Sequence, residues 1–130
     1  MAAIIKEVLA TSPDGKGVMA KATHAIDSVA VNITAFCAFS RDRIAQLHFV
    51  TDNNERAMES LNRSGFETKQ VDVVITTLVH RVGSLDIATQ RLADAGLEIY
   101  YSYATVAGAT SLVIFATDNN KKAVELLAKA

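Results

Sequence analysis

Apolar and polar positions along the chain fall into short runs that predict a specific order of elements. Residues 3–10 are apolar with β-branched members and read as a strand. A turn follows at Ser12-Pro13-Asp14-Gly15-Lys16-Gly17. Met19, Ala22, Ile26 and Val29 then recur at helical spacing, which puts them on one face of a helix. Val31 to Phe39 read as a strand, Arg41-Asp42-Arg43 as a turn, and Leu47-His48-Phe49-Val50 as a returning strand. A second helix is predicted to start at Thr51-Asp52-Asn53-Asn54. Asp52 is its expected cap, and Glu55 completes a capping-box pattern. Ala57, Met58 and Leu61 form its buried side and Gly65 follows its last turn. Phe66 to about Gln70 is predicted as a fourth strand.

The same order then recurs. Thr51-Asp52-Asn53-Asn54 returns as Thr117-Asp118-Asn119-Asn120, from position 51 to position 117, an offset of 66. At that offset, with no gap, Gly17 meets Gly83, Ala22-Thr23 meets Ala88-Thr89, Ile33 meets Ile99 and Phe49 meets Phe115. Ala57, Glu59 and Leu61 meet Ala123, Glu125 and Leu127. In the second copy the strand is 71–79, and Leu85, Ala88, Leu92 and Ala95 give the helix stripe. Leu97 to Val106 and Leu112 to Phe115 follow as strands. The chain is therefore an internal duplication of a βαββαβ unit, the split βαβ arrangement. The expected fold class is α+β, with two tandem ferredoxin-like units at 1–70 and 71–130, antiparallel sheets and helices on one face. The second copy stops near its last helix, so its final strand is missing. An open sheet edge is a pairing hazard, and a second subunit is expected to fill it.

Composition narrows the function classes. Half of the 130 residues are apolar, 21% are charged and the net charge is −1. Apolar surface left over on a small chain points to an oligomer interface, here a homodimer. There is no basic stripe to meet phosphates, so a nucleic-acid partner is not expected. No stretch is long and apolar enough to span a membrane, and the opening Met1-Ala2-Ala3-Ile4-Ile5-Lys6, with a short apolar run and no basic start, is not expected to act as a signal peptide. The single cysteine, Cys37, excludes an intrachain disulfide and a paired-cysteine zinc site, which fits the cytoplasm. No metal ligands cluster, and no cofactor is expected.

Gly17 and Gly83 stand where a strand runs into a helix. A helix start presents free N–H groups and the positive end of the dipole, and so favours a carboxylate. Glycine there lets a ligand come close to the backbone. An amino acid also needs acceptors for its ammonium group, and Asp14, Asn32 and Glu98 are suitable. The same glycines also fit a second reading, a tight turn with no ligand. His80 reads as a solvated loop residue, His24 and His48 as helix-surface and strand-surface residues, and Cys37 as a buried thiol. Tyr100, Tyr101 and Tyr103 read as interface or core aromatics.

Two local patterns carry a family resemblance. One is the loop Asp14-Gly15-Lys16-Gly17-Val18 and its mate His80-Arg81-Val82-Gly83-Ser84-Leu85. The other is Val31-Asn32-Ile33 and its mate Leu97-Glu98-Ile99. A loop of the form N/D-x-P-G-x-L followed by G-I-N-I resembles the ACT domain, the amino-acid-sensing module of enzymes of amino-acid metabolism. The whole chain is similar to small proteins made of two such domains. Three positions depart from the pattern: Lys16 and Val82 replace the loop proline, and Glu98 replaces the asparagine. The resemblance implies that an amino acid binds between domains, with the loop of one facing the second strand of its neighbour. Asp14 and His80 then take the polar loop position. Gly17-Val18 and Gly83-Ser84-Leu85 supply backbone donors, and Asn32, Ile33, Glu98 and Ile99 take the strand position. The implied function is regulatory, acting on an enzyme of amino-acid metabolism. The alternative is a dimerisation module that binds no ligand.

An enzyme would need more than the chain offers. His80 and Glu98 could form an acid–base pair, but Asp14 and Asn32 replace them in the first copy. Neither copy shows a nucleophile with a supporting base or a phosphate loop. The protein is expected not to be an enzyme, and no catalytic residue is assigned.

Overall fold

The order of elements is strand β1 (Ala2–Pro13), helix α1 (Val18–Asp27), β2 (Ile33–Arg41), β3 (Ile44–Thr51), α2 (Asn54–Arg63), β4 (Glu67–Val79), α3 (Ser84–Asp94), β5 (Ile99–Ala107), β6 (Thr110–Thr117) and α4 (Asn120–Leu127). These come from a computed structural model that describes residues 1–128. The α+β class and the tandem ferredoxin-like pattern hold. Internal packing divides the chain into a first unit, Lys6–Val71, and a second unit made of Met1–Ile5 with the chain from Asp72 onward.

In the first unit β1 pairs with β3 and β3 with β2, all antiparallel, and the start of β4 lies beside β1. One face of this sheet carries Val8, Ala10, Leu47 and Phe49. These residues close over Ala22, Ala25 and Ile26 of α1 and Ala57 and Leu61 of α2. The alternation of strand side chains and the helical spacing therefore meet in one apolar layer. The second unit repeats this with β4, β6 and β5. Val74, Leu78, Val113 and Phe115 pack on Ala88, Leu92, Ala123 and Leu127. The predicted α3 stripe is shorter than expected, because Leu85 is half exposed and Ala95 is exposed.

The strand that the second copy lacks comes from the other end of the chain. Met1–Ile5 belongs to the second unit. The carbonyl of Met1 accepts from the N–H of Thr77 at 3.1 Å and from the hydroxyl of Thr76 at 2.9 Å. Ala2 packs against the second core. The expectation that another subunit fills this edge is corrected accordingly: the chain's own first residues occupy it.

The Asp and both Asn of the repeated Thr-Asp-Asn-Asn have the same structural tasks in the two copies. Asp52 does not cap α2, as the sequence pattern suggested. Its carboxylate accepts from the N–H of Asn32 at 3.0 Å, and its own N–H donates to the Asn32 carbonyl. Asp118 does the same with Glu98. The caps are Asn53 and Asn119, whose side chains accept from the N–H groups of Arg56 and Lys122. With the cap one residue later, Glu55 falls out of the capping-box position. Asn54 and Asn120 donate to the carbonyls of Lys6 and Asp72 at 3.0 Å, tying each helix start to the first strand of its own unit.

The duplication also supplies internal controls. Ala30 closes the turn after α1 with φ 58, and its counterpart is Gly96 with φ 78. A left-handed non-glycine residue costs about 1–2 kcal/mol, and glycine's extra freedom in the unfolded chain takes back part of that gain. Ala30→Gly is expected to stabilise the protein by about 0.5–1 kcal/mol, seen as a rise of a few degrees in the thermal midpoint. A fall in the midpoint would refute the strain at this turn.

Candidate functional site

Each unit opens a cleft where its first strand runs into its first helix. In the first unit the cleft has a volume of about 290 Å³ and is lined by Asp14, Gly15 and Gly17 of the loop, Val18 and Met19 of α1, Ala38, Phe39 and Ser40 of β2, and Ala45 and Leu47 of β3. In the second it measures about 260 Å³ and is lined by Leu78 to Arg81, Ser84, Leu85, Ala104, Val106, Ser111 and Val113. The linings correspond at the offset of 66: Asp14 with His80, Val18 with Ser84, Met19 with Leu85, Ser40 with Val106, and Ala45 with Ser111.

Backbone geometry explains the glycines. Gly17 is the N-cap of α1 with φ 80 and Gly83 that of α3 with φ 92. A Cβ at either position would meet nothing within 4 Å, so the left-handed φ alone selects glycine. No side chain caps either helix. The Val18 and Ser84 N–H groups turn back to the carbonyls of Gly15 and Arg81, and those of Lys21 and Ile87 bond the cap carbonyls. Between them, the N–H groups of Met19 and Ala20, and of Leu85 and Asp86, have no partner within their helices. Such groups favour an anion.

The side chains differ between the two clefts. Asp14 accepts at Oδ2 from the Ser40 hydroxyl at 2.8 Å, and its N–H donates to the carbonyl of Arg43 in the β2–β3 turn. His80 holds the matching backbone bond to Ala109, and its Nδ1 lies 3.5 Å from the Ser111 hydroxyl. Ser40 is a site residue that sequence reasoning missed. Hairpin pairing carries the signal for it: Pro13 and Arg41 both pair with Ile44, so β1 and β2 end level with each other on either side of β3.

Six of the predicted site residues, Asp14, Gly17, Val18, His80, Ser84 and Leu85, line the clefts, and Gly83 caps the helix beside the second. Asn32, Ile33, Glu98 and Ile99 do not join them. They stand at or just before the opposite ends of β2 and β5, about 16–20 Å from Ala38 and Ala104, the nearest cleft residues of those strands, at the usual rise per residue. Within a unit the loop and strand positions cannot touch one small ligand.

On the face of the first sheet opposite its helices lies a buried polar pair. His48 Nδ1 is 2.8 Å from Glu7 Oε1, and the two residues are 3% and 0% exposed. This corrects the surface reading of His48. Cys37, its neighbour in register, is half-buried rather than fully buried. Burial first, and then the Glu7 carboxylate, raise the thiol above its usual pKa. That makes Cys37 a poor nucleophile at neutral pH.

Residues 44–130 match the family model of the ACT domain pair. The chain belongs to that family. No curated protein sequence matches it. Among solved structures, the ACT pair resembles a protein from Bacteroides thetaiotaomicron with a TM-score of 0.90 at 20% identity, covering 98% of this chain and 89% of that one. It also resembles the regulatory subunit of aspartate kinase from Thermus thermophilus in its ligand-free form, with a TM-score of 0.71 at 14% identity, covering 99% and 95% of the two chains. The regulatory subunit of aspartate kinase from Thermus flavus gives 0.67 at 19% identity, covering 98% and 95%. At these identities the likeness is one of fold. Among the described residues no helix of the ACT pair is long and apolar enough to cross a membrane.

Proposed function

We propose that the chain is a regulatory module that binds an amino acid in the cleft at the start of α1 and so modulates an enzyme of amino-acid metabolism. The observation that carries this reading is the placing of opposite charges in one small cleft. The uncapped helix start offers N–H groups for a carboxylate. Asp14, already anchored through Oδ2 by Ser40, offers Oδ1 to an ammonium group. Val18, Met19 and Phe39 leave room for a small apolar side chain. A volume of about 290 Å³ stands at the lower end of ligand pockets, which suits a free amino acid better than a nucleotide. The likeness in fold to the two Thermus regulatory subunits of aspartate kinase supports a regulatory role. Asn32, Ile33, Glu98 and Ile99 are given no contact with the ligand of their own unit.

The test is a thermal-shift survey of the common amino acids at millimolar concentration. A ligand present at 100 times its Kd adds about 2.7 kcal/mol to stability, a shift of several degrees for a chain of this size. Asp14→Asn removes a charge-assisted bond of about 1.5–3 kcal/mol and is expected to weaken binding about tenfold or more. If no amino acid moves the transition of the folded protein, the sensing role fails. A binding module without a ligand is then the better reading. One observation already favours that role for the second unit, whose cleft lining is mainly apolar and lacks an acidic side chain.

A further inference from the structure

Of the six glycines, five sit at a left-handed φ between 64 and 95, the region that favours glycine. Gly15 does not. Its φ lies outside that region, and a Cβ built on it would meet Val18 Cγ2 at 4.0 Å, an ordinary contact. Its counterpart in the second copy is Arg81, so this place in the loop accepts a full side chain. Neither the backbone nor lack of space accounts for the glycine. What it changes is the chemistry of the residue before it. Asp14-Gly15 is the only Asp-Gly pair in the chain. The seven other aspartates are followed by serine, arginine, asparagine, valine, isoleucine or alanine, and no asparagine precedes a glycine.

A glycine leaves its own backbone nitrogen unshielded, because no Cβ stands beside it to hinder the preceding side chain. The surroundings of this pair leave such a reaction open. Asp14 and Gly15 are both exposed in the loop between β1 and α1. The Gly15 N–H has no hydrogen-bond partner among the described residues, so its nitrogen is held to no carbonyl. We infer that Asp14-Gly15 is a site of spontaneous covalent rearrangement to isoaspartate. The Gly15 nitrogen attacks Asp14 Cγ. An N–Cγ bond forms, the Cγ–OH bond breaks, and the nitrogen's proton leaves with that hydroxyl as water. Water then opens the succinimide ring. Addition at Cγ restores aspartate. Addition at the main-chain carbonyl carbon breaks its bond to the Gly15 nitrogen and gives isoaspartate, with the chain running on through the side-chain methylene. One water leaves and one returns, and nothing else is consumed. The loop gains a methylene in its backbone, and the carboxyl group that accepts from the Ser40 hydroxyl becomes a main-chain amide. The rearrangement does not rest on the ligand reading, whereas the loss of an ammonium acceptor from the first cleft does.

The test is peptide mapping of the full chain after several weeks at physiological temperature and neutral pH. Isoaspartate has the mass of aspartate, so it is read as a second chromatographic peak of equal mass, assigned by electron-transfer fragmentation. The Asp14 peptide is expected to accumulate this second form. Asp42, equally exposed in a turn but followed by Arg43, is expected to stay single. Gly15→Ala is expected to slow the change about tenfold or more, a rise of about 1.4 kcal/mol in the barrier. Its thermal midpoint is expected not to fall, because the added Cβ fits. A single, unchanged Asp14 peptide in the aged wild-type chain, or an equal yield of the second form in Gly15→Ala, would overturn the inference. Thermal shifts of the fresh and aged chains with amino acids separate the two readings. No response in the fresh chain counts against the ligand site alone, since the peptide map stands without it. Equal responses of the fresh and the fully rearranged chain would overturn the loss of the ammonium acceptor.

Discussion

Glu7→Val is expected to destabilise the protein by about 3–5 kcal/mol, and adding His48→Ile is expected to remove most of that loss. Glu7 is fully buried and His48 nearly so, with 2.8 Å between Oε1 and Nδ1. Removing one member takes from the other, still buried, the 2.8 Å contact between them. Removing both takes the two mutually bonded groups out together. The second copy carries out the double replacement already: Val73 matches Glu7, Ile114 matches His48, and both are buried. A well-packed apolar pair in place of a buried polar pair is often neutral or stabilising by about 1–4 kcal/mol. The single variant would consume much of a typical margin of about 5–15 kcal/mol, so the comparison belongs in urea titrations at low temperature. If Glu7→Val/His48→Ile is as unstable as Glu7→Val, the two side chains are not an energetic unit, and the reading of this face is wrong.

A chain shortened to begin at Lys6 is expected to lose about 3 kcal/mol or more, felt mainly in the second unit. The missing residues take away a strand whose backbone bonds each contribute about 0.5–1.5 kcal/mol. They also take away the carbonyl that Thr76 needs, and Thr76 is 1% exposed. An unsatisfied buried hydroxyl adds a further penalty of about 1–3 kcal/mol. The bared edge of β4 is then open to pairing with other chains. Hydrogen exchange reads the effect directly. The Thr77 amide, bonded to Met1 in the intact chain, should lose protection in the shortened one, while the amides of β3 should keep theirs. An unchanged melting profile together with an unchanged Thr77 amide would mean that Met1–Ile5 contributes nothing to the second unit.

The sequence by itself determined the repeat, the four helices and most of the strands and buried faces, though it divided the single strand Glu67–Val79 into two, at 66–70 and 71–79. Those features come from local periodicity and from an ungapped offset, and both are written along the chain. It also pointed to the loops of the clefts, because a glycine between a strand and a helix has a local backbone reason, seen here as the left-handed φ of Gly17 and Gly83. It misplaced the α2 cap by one residue. Asp52 and Asn53 are equally good caps in isolation, and only the pull of Asn32 on Asp52 separates them.

What only the tertiary structure decided depends on residues far apart in the chain. Pairing of Met1 with Thr76 and Thr77 spans most of the chain and leaves no periodic trace. His48 and Glu7 are 41 positions apart, so the alternation of β3 alone could not say whether His48 faced water or a carboxylate. Ser40 reaches Asp14 through hairpin register, while Asn32, nearer in the motif, is carried to the far end of the strand. Periodicity tells a side chain which face to take. Strand pairing decides which other side chains it meets there, and that is settled when the sheet assembles.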